Sequence, residues 1–168
     1  NIIIETIKNP HQKRNILDQY NNYINYFNIG EKYIIDKSLI NFFWIGFIKI
    51  FFPNSKIIHT VRNPKDNCLS LFKNYFPSKS MSWAYNQKDI AEYYVLYKEI
   101  MDYWKYKFQE FIYDANYERI VTNPEEEVKN ILSFCDLDWE AECLNFHKNR
   151  KTPVQTVSIS QANKPIYK

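Results

Sequence analysis

Between Tyr33 and Phe72 the hydrophobic positions change period from segment to segment. Tyr33 to Asp36 is a short β-prone run, and Asn41 to Phe52 is an apolar segment of helical length. Lys56 to Val61 alternates, with Ile57, Ile58 and Val61 supplying branched bulk. These periods predict strand, helix, strand. A second helix then opens with Asn63 as cap, Pro64 at its first position and Asp66 in its first turn. A strand, a crossover helix and a strand form a βαβ unit, so the two strands are expected as parallel neighbours or near neighbours.

The flanking segments read as packing elements. Ile16, Leu17, Tyr20, Tyr23, Ile24 and Phe27 recur at helical spacing, predicting a helix over Pro10 to Asn28 that Gly30 can terminate. Ile90, Tyr94, Tyr97, Met101, Trp104 and Phe108 mark the apolar face of a long helix, Asp89 to Gln109. Phe111 to Ile120 reads as a strand. Thr122 or Asn123 caps a following helix with Pro124 first, Glu125, Glu126 and Glu127 in its first turn, and Val128, Ile131, Leu132 and Phe134 on its buried face. A short helix is expected from about Trp139 to His147, and Lys73 to Gln87, with Pro77 and several serines, reads as a loop. No repeat or low-complexity linker divides residues 1–168, so one α/β domain is the working count.

Composition narrows the function classes. Gly30 and Gly46 are the two glycines of the chain, so neither a G-x-G-x-x-G nor a Walker-type phosphate loop is present. A net charge of +3 without a basic block argues against nucleic acid. Cys68, Cys135 and Cys143 lack metal-ligand spacing and are odd in number, which points to a reducing, cytoplasmic compartment. No apolar run has the length of a membrane span.

The chemistry concentrates after the second predicted strand. Arg62 follows it directly, at the carboxyl edge of the expected sheet, where open α/β sheets take ligands and a helix N-terminus favours anions. Ser70 lies two turns into the helix and Lys37 closes the first strand at the same edge. One Arg, one Lys and one hydroxyl thus meet where phosphate binds well. A single Arg at a strand end is, by itself, more commonly a surface salt-bridge residue. Glu125 to Glu127 serve a helix dipole more economically than a metal, and the aromatics Phe76, Trp83 and Tyr85 either line an acceptor pocket or pack their own loop.

The run VRNPKDNCLS, with Lys37 in DKSLINF, resembles the nucleotide-binding core of sulfotransferases that use 3′-phosphoadenosine 5′-phosphosulfate. It is most similar to bacterial members fused to tetratricopeptide repeats, and also to tyrosylprotein sulfotransferases. WAYNQKDIAEYYVLYKEIMDYW, NYERIVTNPEEEVKNILSFCDLDW, CLNFHKNR and TVSISQANKPIY follow in the family's order, so the resemblance covers about Tyr33 to Lys168. It implies a three-layer, P-loop NTPase-like parallel sheet flanked by helices. After the helical lead-in over 1–30, read from its own periodicity, the layout implied is a nucleotide-binding core over 33–76 and a C-terminal part over 77–168.

By position, the resemblance assigns Arg62 and Ser70 to the 3′-phosphate of the donor and Tyr117 to its adenine or phosphates. Lys37 and Ser158 fall to the leaving 5′-phosphate oxygen. The implied reaction is in-line transfer of a sulfonyl group to a hydroxyl or amine of a carbohydrate, peptide or small molecule, with no metal required. The family's first strand and glycine-containing phosphosulfate loop have no counterpart here, and no catalytic base is identified; Leu39 stands where cytosolic relatives have a catalytic His, and His59 is expected to be packed within a strand. The chain therefore reads as a partial domain carrying the 3′-phosphate half of the donor site and inactive alone. Two alternatives are a non-catalytic interaction or nucleotide-binding module and a nucleotide kinase.

Overall fold

A computed structural model describes residues 5, 7–27, 30 and 32–148. The chain divides into two units, Asn1–Ser55 with Ile100–Lys107, and Lys56–Glu99 with Phe108–Lys168.

In the first unit, helix α1 spans Pro10–Phe27. Asn9 caps it by accepting from the N–H groups of His11 and Gln12 at 3.0 and 3.2 Å, with Pro10 in the first turn. Beyond it Gly30 has a φ of +83°, a conformation that favours glycine. The apolar segment forms a 3₁₀ turn, Asn41–Phe43, and then α2, Ile45–Phe51. Trp104 organises this unit. Its indole N–H donates to the Phe42 carbonyl at 2.8 Å, and its ring edge lies where a Cβ on Gly46 would come within 2.7 Å. Ile45, Phe51 and Met101 are buried in the same unit, and the Tyr20 and Phe52 rings meet at 4.8 Å.

The strand expected over Tyr33 to Asp36 is not formed. The segment has no regular secondary structure and joins no ladder among the described residues, and Tyr33, Ile34 and Ile35 are exposed, Ile35 by 90%. Branched side chains favour extended backbone, but a strand exists only when a neighbour takes its N–H and C=O groups. The expected pairing of this run with Lys56 to Val61 is therefore replaced by another.

In the second unit β1, Ile57–Val61, pairs in parallel with β2, Ile112–Asn116, in the register Ile57↔Ile112 through Val61↔Asn116. A parallel pair needs a long crossover. Here it contains α3, Pro64–Lys73, a 3₁₀ turn over Lys79–Tyr85, α4, Gln87–Lys107, and a 3₁₀ turn over Gln109–Phe111. Within the loop Trp83 stacks on Tyr93 at 4.1 Å, while the Tyr85 hydroxyl both donates to the Phe76 carbonyl and accepts from its N–H. Trp83 thus packs on α4, and Tyr85 ties its own loop together at Phe76.

β2 is shorter than expected. The strand stops at Asn116 because its side chain accepts from the Arg119 N–H at 2.9 Å and starts helix α5, Tyr117–Thr122. Helix α6, Pro124–Phe134, follows, and a 3₁₀ stretch over Ala141–Lys148 stands where a short helix was expected. Neither expected cap bond of α6 forms; the Thr122 hydroxyl donates to the Glu118 carbonyl and the Asn123 amide to Glu126. Successive side chains of a strand face opposite ways, and the two faces of β2 meet different elements. Tyr113 packs on Phe134 at 5.4 Å and donates to Glu127, which is 3% exposed. Asp114 points to the other face, toward His59. Val128, Ile131, Leu132 and Phe134 are half-buried, so the most buried residue of α6 is this glutamate, paired through its hydroxyl partner. The result is a mixed helical chain with a small parallel sheet, consistent with the α/β class.

Candidate functional site

The register of the two strands continues past their last ladder pair. Val61 faces Asn116. One residue on, the Arg62 guanidinium carbon lies 4.8 Å from the centroid of the Tyr117 ring. One further, the Asn63 N–H donates to the Glu118 carboxylate at 2.8 Å. Both strands end at the same ladder pair, and an asparagine caps the helix after each, Asn116 as the last residue of β2 and Asn63 two residues after β1. The Asn63 side chain accepts from the N–H groups of Lys65 and Asp66 at 3.0 and 3.5 Å, as that of Asn116 does from Arg119. Two parallel strands that stop together deliver their next side chains side by side. This brings Arg62 and Tyr117 together at the carboxyl edge of the sheet.

Arg62 is half-buried, and its Nε is shielded from solvent with no hydrogen-bond partner among the described residues. An unpaired buried donor costs about 1–3 kcal/mol, so a site that keeps one fits a ligand acceptor. Tyr117, a residue 38% exposed, presents its ring to the cation in a cation–π contact that helps hold the guanidinium in place. The Asn63 N–H, the Glu118 N–H and, to a lesser degree, the Arg62 charge hold the Glu118 carboxyl below its ordinary range, against a smaller desolvation effect. A guanidinium fixed over a ring with an unanswered N–H is suited to a planar or tetrahedral oxyanion such as phosphate.

The helix N-terminus is less available to an anion than the sequence suggested. Asn63 occupies the first free N–H groups of α3, and Glu118 takes the N–H of Asn63 itself. The donor capacity at this edge thus rests with Arg62. Ser70 lies two turns into α3, with its hydroxyl 3.4 Å from the Asn74 amide. Arg62 and Ser70 share no hydrogen bond. Lys37 is exposed and belongs to the first unit. Ser158 lies outside the described residues. Glu125, Glu126 and Glu127 take separate partners, Lys129, Asn123 and Tyr113. Among the described residues no group of three or more His, Cys, Asp or Glu could hold a metal ion.

Two features of this edge are not predicted by the sequence pattern. Glu118 follows Tyr117 directly, and the signal for it was the Asn116 cap, which ends the strand and turns Glu118 toward Asn63. His59, expected as a packed residue, bonds Asp114 through Nδ1 at 2.6 Å and Tyr97 through Nε2. Only the register of a ladder not yet known would have revealed that pair.

Residues 6–141 match a family model described as Sulfotransferase family. A protein of Aquifex aeolicus (strain VF5), described as uncharacterized, is 36% identical over 137 residues, which are 80% of this chain and 18% of that protein. A protein of Caenorhabditis briggsae named "Putative protein-tyrosine sulfotransferase" is 25% identical over 115 residues, 62% of this chain and 37% of that protein. The chain thus spans well under half the length of either relative.

Proposed function

Since the chain belongs to the sulfotransferase family, we propose that it serves transfer of a sulfonyl group from 3′-phosphoadenosine 5′-phosphosulfate to a hydroxyl or amine. In this reading the chain carries the 3′-phosphate half of the donor site on a P-loop NTPase-like sheet, and one such unit alone has no useful turnover. The observation that supports it best is the buried, partnerless Nε of Arg62 held over the Tyr117 ring. Arg62 grips the 3′-phosphate through two charge-assisted bonds, Tyr117 fixes the guanidinium and offers its open edge to the nucleotide, and Ser70 supports the same phosphate from α3. When bound, the donor supplies an activated sulfonyl group on its 5′-phosphate. Lys37 and Ser158 stabilise charge on the leaving oxygen, where a preorganised cation acts on the transition state more than on the ground state. The name of the Caenorhabditis relative makes a protein tyrosine the first acceptor to try, beside carbohydrates and small molecules. Among the described residues no helix is long and apolar enough to cross a membrane, and the free Cys68, Cys135 and Cys143 support a reducing, cytoplasmic setting.

The test is thermal stability with adenosine 3′,5′-bisphosphate and with adenosine 5′-monophosphate. A ligand at 100 times its dissociation constant stabilises a binding-competent fold by about 2.7 kcal/mol. The expected outcome is a shift with the bisphosphate, little with the monophosphate, and none in Arg62→Ala. Equal shifts with both nucleotides, or no shift in a folded parent, would overturn the reading and favour an interaction module.

A further inference from the structure

His59 and Asp114 are ladder partners, three residues before Arg62 and Tyr117 at the same offset of 55. The two pairs are therefore levels of one register. Of the three ladder pairs on this face, Ile57 with Ile112, His59 with Asp114, and Val61 with Asn116, only the middle one joins two side chains that can form an ion pair. Moving one strand by one residue turns all its side chains to the opposite face, and at the His59–Asp114 level it also breaks a directional, hydrogen-bonded ionisable pair, which an aliphatic level does not have to lose. A two-stranded parallel ladder of five residues is weakly specified by its backbone alone, so the central polar pair carries much of the alignment.

The imidazole is held from both ends. A carboxylate only accepts, so the Asp114 oxygen at 2.6 Å requires a hydrogen on Nδ1, and Nε2 meets the Tyr97 hydroxyl of α4. With its side chain 12% exposed, His59 is largely shielded from water that would loosen the pair. Three elements thus fix one ring: β1 carries it, β2 supplies the carboxylate and α4 the hydroxyl.

We infer that the Asp114–His59–Tyr97 chain is the positioning device of the Arg62–Tyr117 site, setting the strand register that places the guanidinium over the ring. The importance of that placement rests on the donor-half reading, but the placement itself is measurable without nucleotide. The bond to Asp114 sets the register, and the bond to Tyr97 fixes the ring against α4.

The experiment uses the full-length protein and the ¹⁵N-labelled Arg62 Nε–H resonance, assigned by its loss in Arg62→Lys. Its ring-current displacement, defined against Tyr117→Leu, reports the guanidinium over the ring. His59→Asn keeps an N–H near the place of Nδ1, facing Asp114; His59→Gln keeps one near the place of Nε2, facing Tyr97. The expected result is a displaced resonance in the parent and in His59→Asn, and its return to the Tyr117→Leu position in His59→Gln and Asp114→Ala, although the two His59 variants melt at similar temperatures. A resonance still displaced in folded His59→Gln overturns the inference, as does an undisplaced one in the parent or a displacement that tracks melting temperature across all variants. Should Asp114→Ala not fold, the two His59 variants decide. Affinity for adenosine 3′,5′-bisphosphate on the same samples separates the claims. A displaced parent resonance without affinity sinks the donor-half reading and leaves the positioning inference standing; the reverse holds for a parent that binds with an undisplaced resonance.

Discussion

Arg62→Lys separates a ligand-gripping arginine from a structural one. Lysine keeps the charge but loses the fork and the Nε–H, so of two charge-assisted bonds to a phosphate it retains about one. Each such bond is worth about 1.5–3 kcal/mol, and 1.4 kcal/mol is tenfold in affinity. The dissociation constant for adenosine 3′,5′-bisphosphate should therefore rise about ten- to a hundredfold. In the ligand-free protein two effects oppose each other. Removing the unpaired, shielded Nε relieves a cost of about 1–3 kcal/mol, while losing the guanidinium over Tyr117 gives up about 0.5–1 kcal/mol. Stability without ligand should consequently hold or rise, by up to about 2.5 kcal/mol. Isothermal titration beside denaturant unfolding reads both quantities. Unchanged affinity, or a loss of ligand-free stability larger than the loss of binding energy, would refute the reasoning and make Arg62 a packing residue.

Three further outcomes follow from the same geometry. Tyr117→Phe keeps the ring and should bind nucleotide within about twofold of the parent, whereas Tyr117→Leu gives up the cation–π contact of about 0.5–1 kcal/mol and should bind about two- to fivefold more weakly by titration. Gly46→Ala forces a Cβ against an indole anchored to the Phe42 carbonyl, and should cost about 1–3 kcal/mol in chemical denaturation. Glu118 has its carboxyl held below the ordinary value of 4.5, chiefly by the Asn63 N–H. A depressed carboxyl contributes stability that is present above its unfolded value and lost as pH falls through the folded one. The melting temperature should therefore drop on acidification below about pH 4.5, and Glu118→Gln, which has no charge to lose, should show a shallower drop over that window.

What the sequence reveals divides along the range of the forces involved. α3 was legible because Asn63, Pro64 and Asp66 act within one turn, and α1 and α4 because their apolar stripes repeat over several turns. β1 was legible from its alternation. The Tyr33 to Asp36 run misled because β-propensity describes a chain ready to pair and says nothing of whether a neighbour is there. β2 ends earlier than the sequence pattern predicts because a local signal, the Asn116 cap, lies inside a run whose aromatic and branched residues otherwise continue as strand. At the site, Arg62 was legible from its place after a strand, and its contact with Tyr117 was not. That contact depends on a register between segments 55 residues apart, which no local pattern encodes. The same long-range register hid the Asp114–His59–Tyr97 chain, whose members look unrelated until β1 and β2 are aligned.

The most direct test of the site is ³¹P NMR of adenosine 3′,5′-bisphosphate titrated with the protein, in which the two phosphates give separate signals. The Arg62 assignment requires the 3′-phosphate resonance to move or broaden on binding to the parent and to stay in place with Arg62→Ala. A 3′-phosphate signal that does not respond, or that responds equally with Arg62→Ala, would contradict it.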